Sequence, residues 1–99
     1  NAYYTLGNTF YDMKRLEEAM EMYDQVTVLE PAHIQAYHNK ALCLSHLMRF
    51  EEALAIYHAC LDLDPKHEKS LEAIEVLRER IKERDEELSQ LDSNGYYSE

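Results

Sequence analysis

Residues 3–31, YYTLGNTFYDMKRLEEAMEMYDQVTVLEP, return 34 positions later as residues 37–65, YHNKALCLSHLMRFEEALAIYHACLDLDP. The run Tyr3, Leu6, Gly7, Phe10, Ala19, Tyr23, Val26, Pro31 is answered by Tyr37, Lys40, Ala41, Leu44, Ala53, Tyr57, Cys60, Pro65. Arg15, Glu17, Glu18, Leu29 and His33 recur unchanged as Arg49, Glu51, Glu52, Leu63 and His67. A fixed period of this length, with large, small and proline positions locked together, marks an array of stacked helical units. Each unit contacts only its neighbours, and such stacks present extended binding surfaces.

Within one unit, Leu16, Ala19, Met20, Tyr23 and Val26 follow one another at spacings of three and four, as a single buried helical face requires. Pro31 and Pro65 end helices, because proline lacks an amide proton and disfavours helical geometry in the residue before it. Helices are therefore expected over residues 1–13, 17–30, 34–47 and 51–63, in two antiparallel pairs. Small residues on the first helix (Gly7, Ala41) and on the second (Ala19, Ala53) let the two members of each pair approach closely.

The order of residue types, aromatic-x2-Leu-Gly/Ala-x2-large apolar followed by Ala-x3-aromatic-x2-small and Pro, resembles the tetratricopeptide repeat family over about residues 1–65. Lys40 stands in place of Leu, Leu44 in place of the aromatic, and Tyr3 and Tyr37 where Trp is common. The resemblance implies an all-α, right-handed helical-hairpin solenoid with one repeat over 1–31 and a second over 32–65. It also implies a noncatalytic protein-interaction role, with the first helix of each pair lining a concave groove.

From Lys66 onward the register fails. A third repeat would place Glu75 at the Gly/Ala position, where a long charged side chain does not fit a close helix contact. Ile74, Leu77, Ile81, Arg84, Leu88 and Leu91 instead recur at spacings of three and four in a stretch free of Pro and Gly. One long helix is expected over 66–91, roughly 38 Å at about 1.5 Å per residue. Its first half caps the apolar face of residues 51–63 and its second half projects beyond the repeats. Ile81, Leu88 and Leu91 are candidate self-association residues there, which would make a homo-oligomer through the terminal helix. Residues 92–99 read as a disordered tail.

The 99 residues carry 20 acidic and 10 basic side chains, a net charge of -10. That balance disfavours nonspecific binding to nucleic acid or anionic lipid and favours a neutral or basic partner. No stretch reaches the length of apolar sequence that crosses a bilayer, and no signal-peptide pattern opens the chain. Cys43 and Cys60 have no metal-type spacing and read as reduced core thiols, which points to a cytoplasmic protein. The absence of an initiator Met and the start inside the first repeat suggest a piece of a longer protein.

Transferred onto this sequence, the family's groove positions fall on Tyr4, Thr5, Asn8, Tyr11 and Asp12, then on Gln35, His38, Asn39, Leu42, Ser45 and His46, and on Lys69, Glu72 and Ala73. We take Tyr4, Asn8, Tyr11, Gln35, His38, Asn39, Leu42 and Lys69 as candidate peptide contacts. Amide side chains both donate to and accept from a peptide backbone, and tyrosine offers apolar area with a polar end. In the co-chaperone branch of the family, five residues grip the terminal carboxylate of Hsp70 and Hsp90 tails. Their spacing lands here on Tyr4, Asn8, Asn39, Lys69 and Ala73, so three of the five match and two cations are missing. Charge-assisted bonds to a carboxylate outweigh neutral ones, so such a site would be weak. His38 and His46 lie too far apart along a helix to chelate one ion, and no metal or cofactor is expected. No phosphate-binding loop or nucleophile–base pair is recognisable, and Glu17, Glu18, Glu51 and Glu52 are explained as carboxylates at helix starts. The chain is not read as an enzyme.

Overall fold

Five helices follow one another in a computed structural model that describes residues 1–93: α1 (Ala2–Asp12), α2 (Leu16–Leu29), α3 (Ile34–His46), α4 (Phe50–Leu63) and α5 (Glu68–Ser93). Each packs on the next, α1 on α2, α2 on α3, α3 on α4 and α4 on α5, which is the nearest-neighbour stacking of a solenoid. The expected all-α fold, helical hairpins followed by one long helix, is what the described residues form. Asp92 and Ser93, expected in the tail, belong to the last turn of α5; the remainder of that expectation, residues 94–99, lies outside the described residues.

The turns repeat as faithfully as the helices. Lys14 and Met48, 34 positions apart, both take left-handed backbone (φ 65° and 61°) just after α1 and α3. Arg15 and Arg49 precede α2 and α4 and reach forward to Glu18 and Glu52, at 2.5 and 2.8 Å. Those carboxylates also favour the positive end of the helix dipole. Before each proline the chain leaves the helix: Glu30 (φ -134°) departs from helical backbone and Asp64 (φ -144°) is extended, since the proline ring disfavours helical geometry in its predecessor. The histidine two residues beyond each proline then serves the start of the next helix. His33 Nδ1 accepts from the Ala36 amide at 3.1 Å, and His67 Nδ1 lies 2.7 Å from Ser70 Oγ. At His33 the acceptor satisfies a backbone donor of the first turn, whereas at His67 the partner is the hydroxyl of the buried Ser70.

Tyr23 and Tyr57 are the largest side chains in the core, each 1% exposed. Ala19, Val26, Ala36, Ala41, Ala53 and the free thiols Cys43 and Cys60 surround them, all fully buried. Against α5 the core continues through Ser70, Ile74 and Leu77, and Ile81 packs at its edge. Arg84, the charged intruder in the apolar series of α5, does not break that seam. It pairs with Glu51 of α4 at 2.5 Å and with Asp85 at 3.1 Å, extending the α4–α5 contact by one turn. Beyond it Leu88 and Leu91 are half exposed.

Gly7 is set by the Tyr23 ring. A Cβ at this position would sit 2.6 Å from Tyr23 Cε1 and 2.9 Å from Cδ1, and the buried ring has little room to yield. Gly7→Ala is therefore expected to destabilise the fold by about 1–3 kcal/mol of overpacking, partly offset by the roughly 1 kcal/mol that alanine gains in helix propensity. Urea unfolding of the variant measures the net loss; a variant more stable than the parent would show that the ring moves freely.

Candidate functional site

α1, α3 and the first half of α5 lie on one side of the stack and supply the side chains of a continuous face. Its centre is a hydrogen-bonded chain that joins both hairpins. The Tyr23 hydroxyl donates to Asn8 Oδ1 at 2.6 Å, and Asn39 Nδ2 donates to the same oxygen at 3.1 Å and to the Tyr4 hydroxyl at 3.3 Å. The Tyr4 ring stacks at a tilt on His33, centroids 4.8 Å apart. One turn further along, the Tyr11 hydroxyl meets His46 Nε2 at 2.9 Å. Residues 31 to 35 apart in sequence are thus brought side by side by the repeat.

Two depressions flank this line. The smaller, about 140 Å³, lies between α1 and α3 and is lined by Asn8, Tyr11, Asp12, Tyr23, Asn39 and Leu42. The larger, about 420 Å³, lies between α3 and α5, where Leu42, Met48, Phe50, Val76 and Arg80 form part of the wall. Leu42 belongs to both and joins them. Of the candidate contacts, Tyr4, Asn8, Tyr11, Asn39 and Leu42 share this face. Gln35 instead lines a separate hollow beside the 30–33 loop, with Pro31 and His33. Lys69 is exposed near the start of α5, close enough to His38 to act on its charge.

Met48, Phe50, Val76 and Arg80 were not among the sequence candidates. Val76 and Arg80 sit three and seven residues after Ala73, so the same helical face, continued along α5, carried the signal. Phe50 had none: it lies outside the repeated groove positions and enters the wall only because α5 packs across α4.

The site's ionisable groups are tuned by burial. Burial raises the Tyr11 and Tyr23 hydroxyls above their ordinary range, so both stay protonated donors. Burial likewise pushes Tyr57 up to about 12 and the Cys43 thiol up to about 11, which keeps that cysteine an unreactive thiol. His38 is held below 6.5, first by burial and then by the nearby charges of His67 and Lys69, against an opposing hydrogen bond with Asn39. Its ring packs edge-on against Tyr57 and His67, with centroids 5.5 and 5.7 Å away.

A chain of stacked helical hairpins with this groove is a helical-repeat protein. The profile of the tetratricopeptide repeat family matches residues 1–33 and 34–67, and the chain belongs to that family. Solved structures agree on the fold. An Arabidopsis OM64 TPR domain superposes with a TM-score of 0.75 at 20% identity, over 79% of this chain and 64% of that one. The TPR2B domain of yeast Sti1, titled as a pHsp70 complex, gives 0.73 at 24% identity, over 87% and 69%. A MamA D159K mutant gives 0.73 at 23% identity, over 97% and 53%. The chain thus spans roughly half to two thirds of the length of these neighbours. No curated protein sequence matches it. The fold is that of a protein–protein interaction module, and among the described residues no helix is long and apolar enough to cross a membrane.

A base whose folded-state pKa is depressed binds its proton more readily in the unfolded chain, so stability falls as pH drops below the unfolded value and levels off below the folded one. His38 therefore costs stability as pH falls from 6.5. In thermal melts, His38→Gln is expected to show a flatter profile than the parent between about pH 7 and about pH 5; identical slopes would mean that His38 is not buried as described.

Proposed function

We propose that the chain recruits a protein partner by holding an extended peptide or a partner helix in the groove formed by α1, α3 and α5. The observation that carries this reading is the line from Tyr23 through Asn8 and Asn39 to Tyr4, in which amides and hydroxyls at the floor are already fixed by one another. Side chains ordered before binding lose less entropy when a ligand arrives. Tyr4, Asn8 and Tyr11 from α1, His38, Asn39 and Leu42 from α3, and Lys69 from α5 are the proposed contacts, with Gln35 at the loop end. The apolar wall of the α3–α5 depression, Leu42, Phe50 and Val76, suits an aliphatic or aromatic side chain of the ligand.

A second reading is a co-chaperone-type grip on the acidic C-terminal tail of Hsp70 or Hsp90. It draws on Asn8, Asn39 and Lys69 and on the fold shared with the Sti1 domain. Tyr4 and Ala73 leave two cation positions unfilled, and Tyr4 is instead engaged with Asn39. Arg80, lining the α3–α5 depression, adds one positive charge two turns beyond Ala73. Assembly through the end of α5 is a third possibility, narrowed to Leu88 and Leu91, since Ile81 packs against the core.

Short peptides selected on the immobilised chain separate these readings by fluorescence anisotropy. Groove binding predicts that Leu42→Glu weakens them at least about tenfold, a typical loss when a central apolar contact is replaced. Val28→Glu, on a side chain 72% exposed in α2, is expected to leave them unchanged. Selected peptides indifferent to Leu42→Glu would count against the groove. A peptide whose affinity vanishes on C-terminal amidation and in Lys69→Ala would favour the tail reading, and indifference to both would end it.

A further inference from the structure

A hollow of about 440 Å³ lies between α2 and α4, on the side of the stack away from the groove of α1, α3 and α5. It takes no part in the function proposed above. Met20 and Leu44, both buried, form its floor, and Ile56 stands half-buried in its wall. All of its walls come from α2, α3, α4 and the turn before α4, inside the two matched repeats.

Carboxylates form the rim: Glu17, Glu21 and Asp24 of α2 on one side and Glu52 of α4 on the other. Two cations share it, and each is already engaged. Lys40 pairs with Asp24 at 2.7 Å, and Arg49 holds Glu52 through two nitrogens, both at 2.8 Å. Glu17 stands near enough to Arg49 to act on its charge, yet among the described residues neither Glu17 nor Glu21 enters an ion pair. Four residues apart on one helical face, these two carboxylates repel each other across a turn.

We propose that this hollow docks a basic amphipathic helix of a partner protein, its apolar side chains entering over Met20 and Ile56 and its arginines or lysines meeting Glu17 and Glu21. Charge selects that occupant. A cation placed between Glu17 and Glu21 relieves their repulsion, whereas an acidic segment adds to it. The net charge of -10 draws a basic segment in at long range, and the apolar floor gives it a place to stop.

The molecule itself shows how a helix answers such a carboxylate. One repeat later Glu51 stands where Glu17 does, and Arg84 of α5 binds it through two nitrogens. Glu21 and Asp24 become Ala55 and His58 there, so the acidic row belongs to the first repeat. Glu17, Glu21 and Asp24 follow one another at spacings of four and three, about 10 Å along the axis. Cations at the same spacings on an incoming helix run alongside them. A helix is about 10–12 Å across, so side chains fill the hollow while the helix body lies over α2 and α4, as in other helix-in-groove contacts.

Fluorescence anisotropy of the full chain tests the proposal with a labelled peptide of about 18 residues, long enough to form a helix, built from leucine and arginine with one apolar and one basic face. Joint replacement Glu17→Gln and Glu21→Gln is expected to weaken it at least about tenfold, as loss of central contacts does. Ala55→Arg, which fills the hollow from an exposed position and supplies its own cation, is expected to do the same, with circular dichroism confirming that the helices remain. Glu75→Gln with Glu79→Gln, an equal change of charge on the outer side of α5, is expected to stay within about twofold of the parent. Equal weakening by the two glutamine pairs would reduce the binding to general attraction and overturn the proposal. So would a peptide of the same composition, scrambled to lose its faces, that binds as tightly, or no binding up to about 1 mM. A peptide displaced by Leu42→Glu would sit in the groove of α1, α3 and α5 and overturn this site while leaving that one standing.

Discussion

The close packing of a buried tyrosine against a small residue on the facing helix sets the geometry on which the rest of the molecule depends. Tyr23 lies against Gly7, so tightly that even one extra carbon would collide with the ring. Tyr57 occupies the same place in the second hairpin, where Ala41 is fully buried. This contact fixes the distance between the two helices of a hairpin. Because each hairpin then presents the same faces to the next, the spacing propagates along the stack.

The same tyrosine connects packing to function. Its ring fills the core of the first hairpin, and its hydroxyl crosses to Asn8, which is tied to Asn39 of the next hairpin and through it to Tyr4. A polar atom at the end of a buried ring needs a partner, and here the partners are groove residues. The interior thereby orders the floor of the proposed binding surface. Burial also keeps the hydroxyls protonated and His38 neutral near physiological pH, so this face offers chiefly neutral donors and acceptors, with Lys69 and Arg80 as its cations at the α5 side.

α5 covers the second hairpin. Two hairpins leave the apolar side of α4 uncovered, and an array needs a terminal element with a polar outer face. Ser70, Ile74, Leu77 and Ile81 cover α4, and Arg84 fastens the next turn to Glu51. The outer side of α5 carries Glu75, Arg78, Glu79 and Lys82, which are exposed.

The helices, their order and most of the core were legible in the sequence, because a 34-residue period registers large and small residues against each other through local spacing alone. The candidate positions Tyr4, Asn8, Tyr11, Asn39 and Leu42 came from the resemblance to the repeat family, laid onto this sequence by that register, and residues on one helical face stay together whatever the neighbours do. Tertiary structure decided the rest. It placed Gln35 beside the loop, recruited Phe50, Val76 and Arg80 into the wall, and turned Arg84 from an interruption into a tie to Glu51. These outcomes depend on the angle at which α5 crosses α4 and on pairings between residues more than thirty positions apart, and periodicity along one helix contains neither.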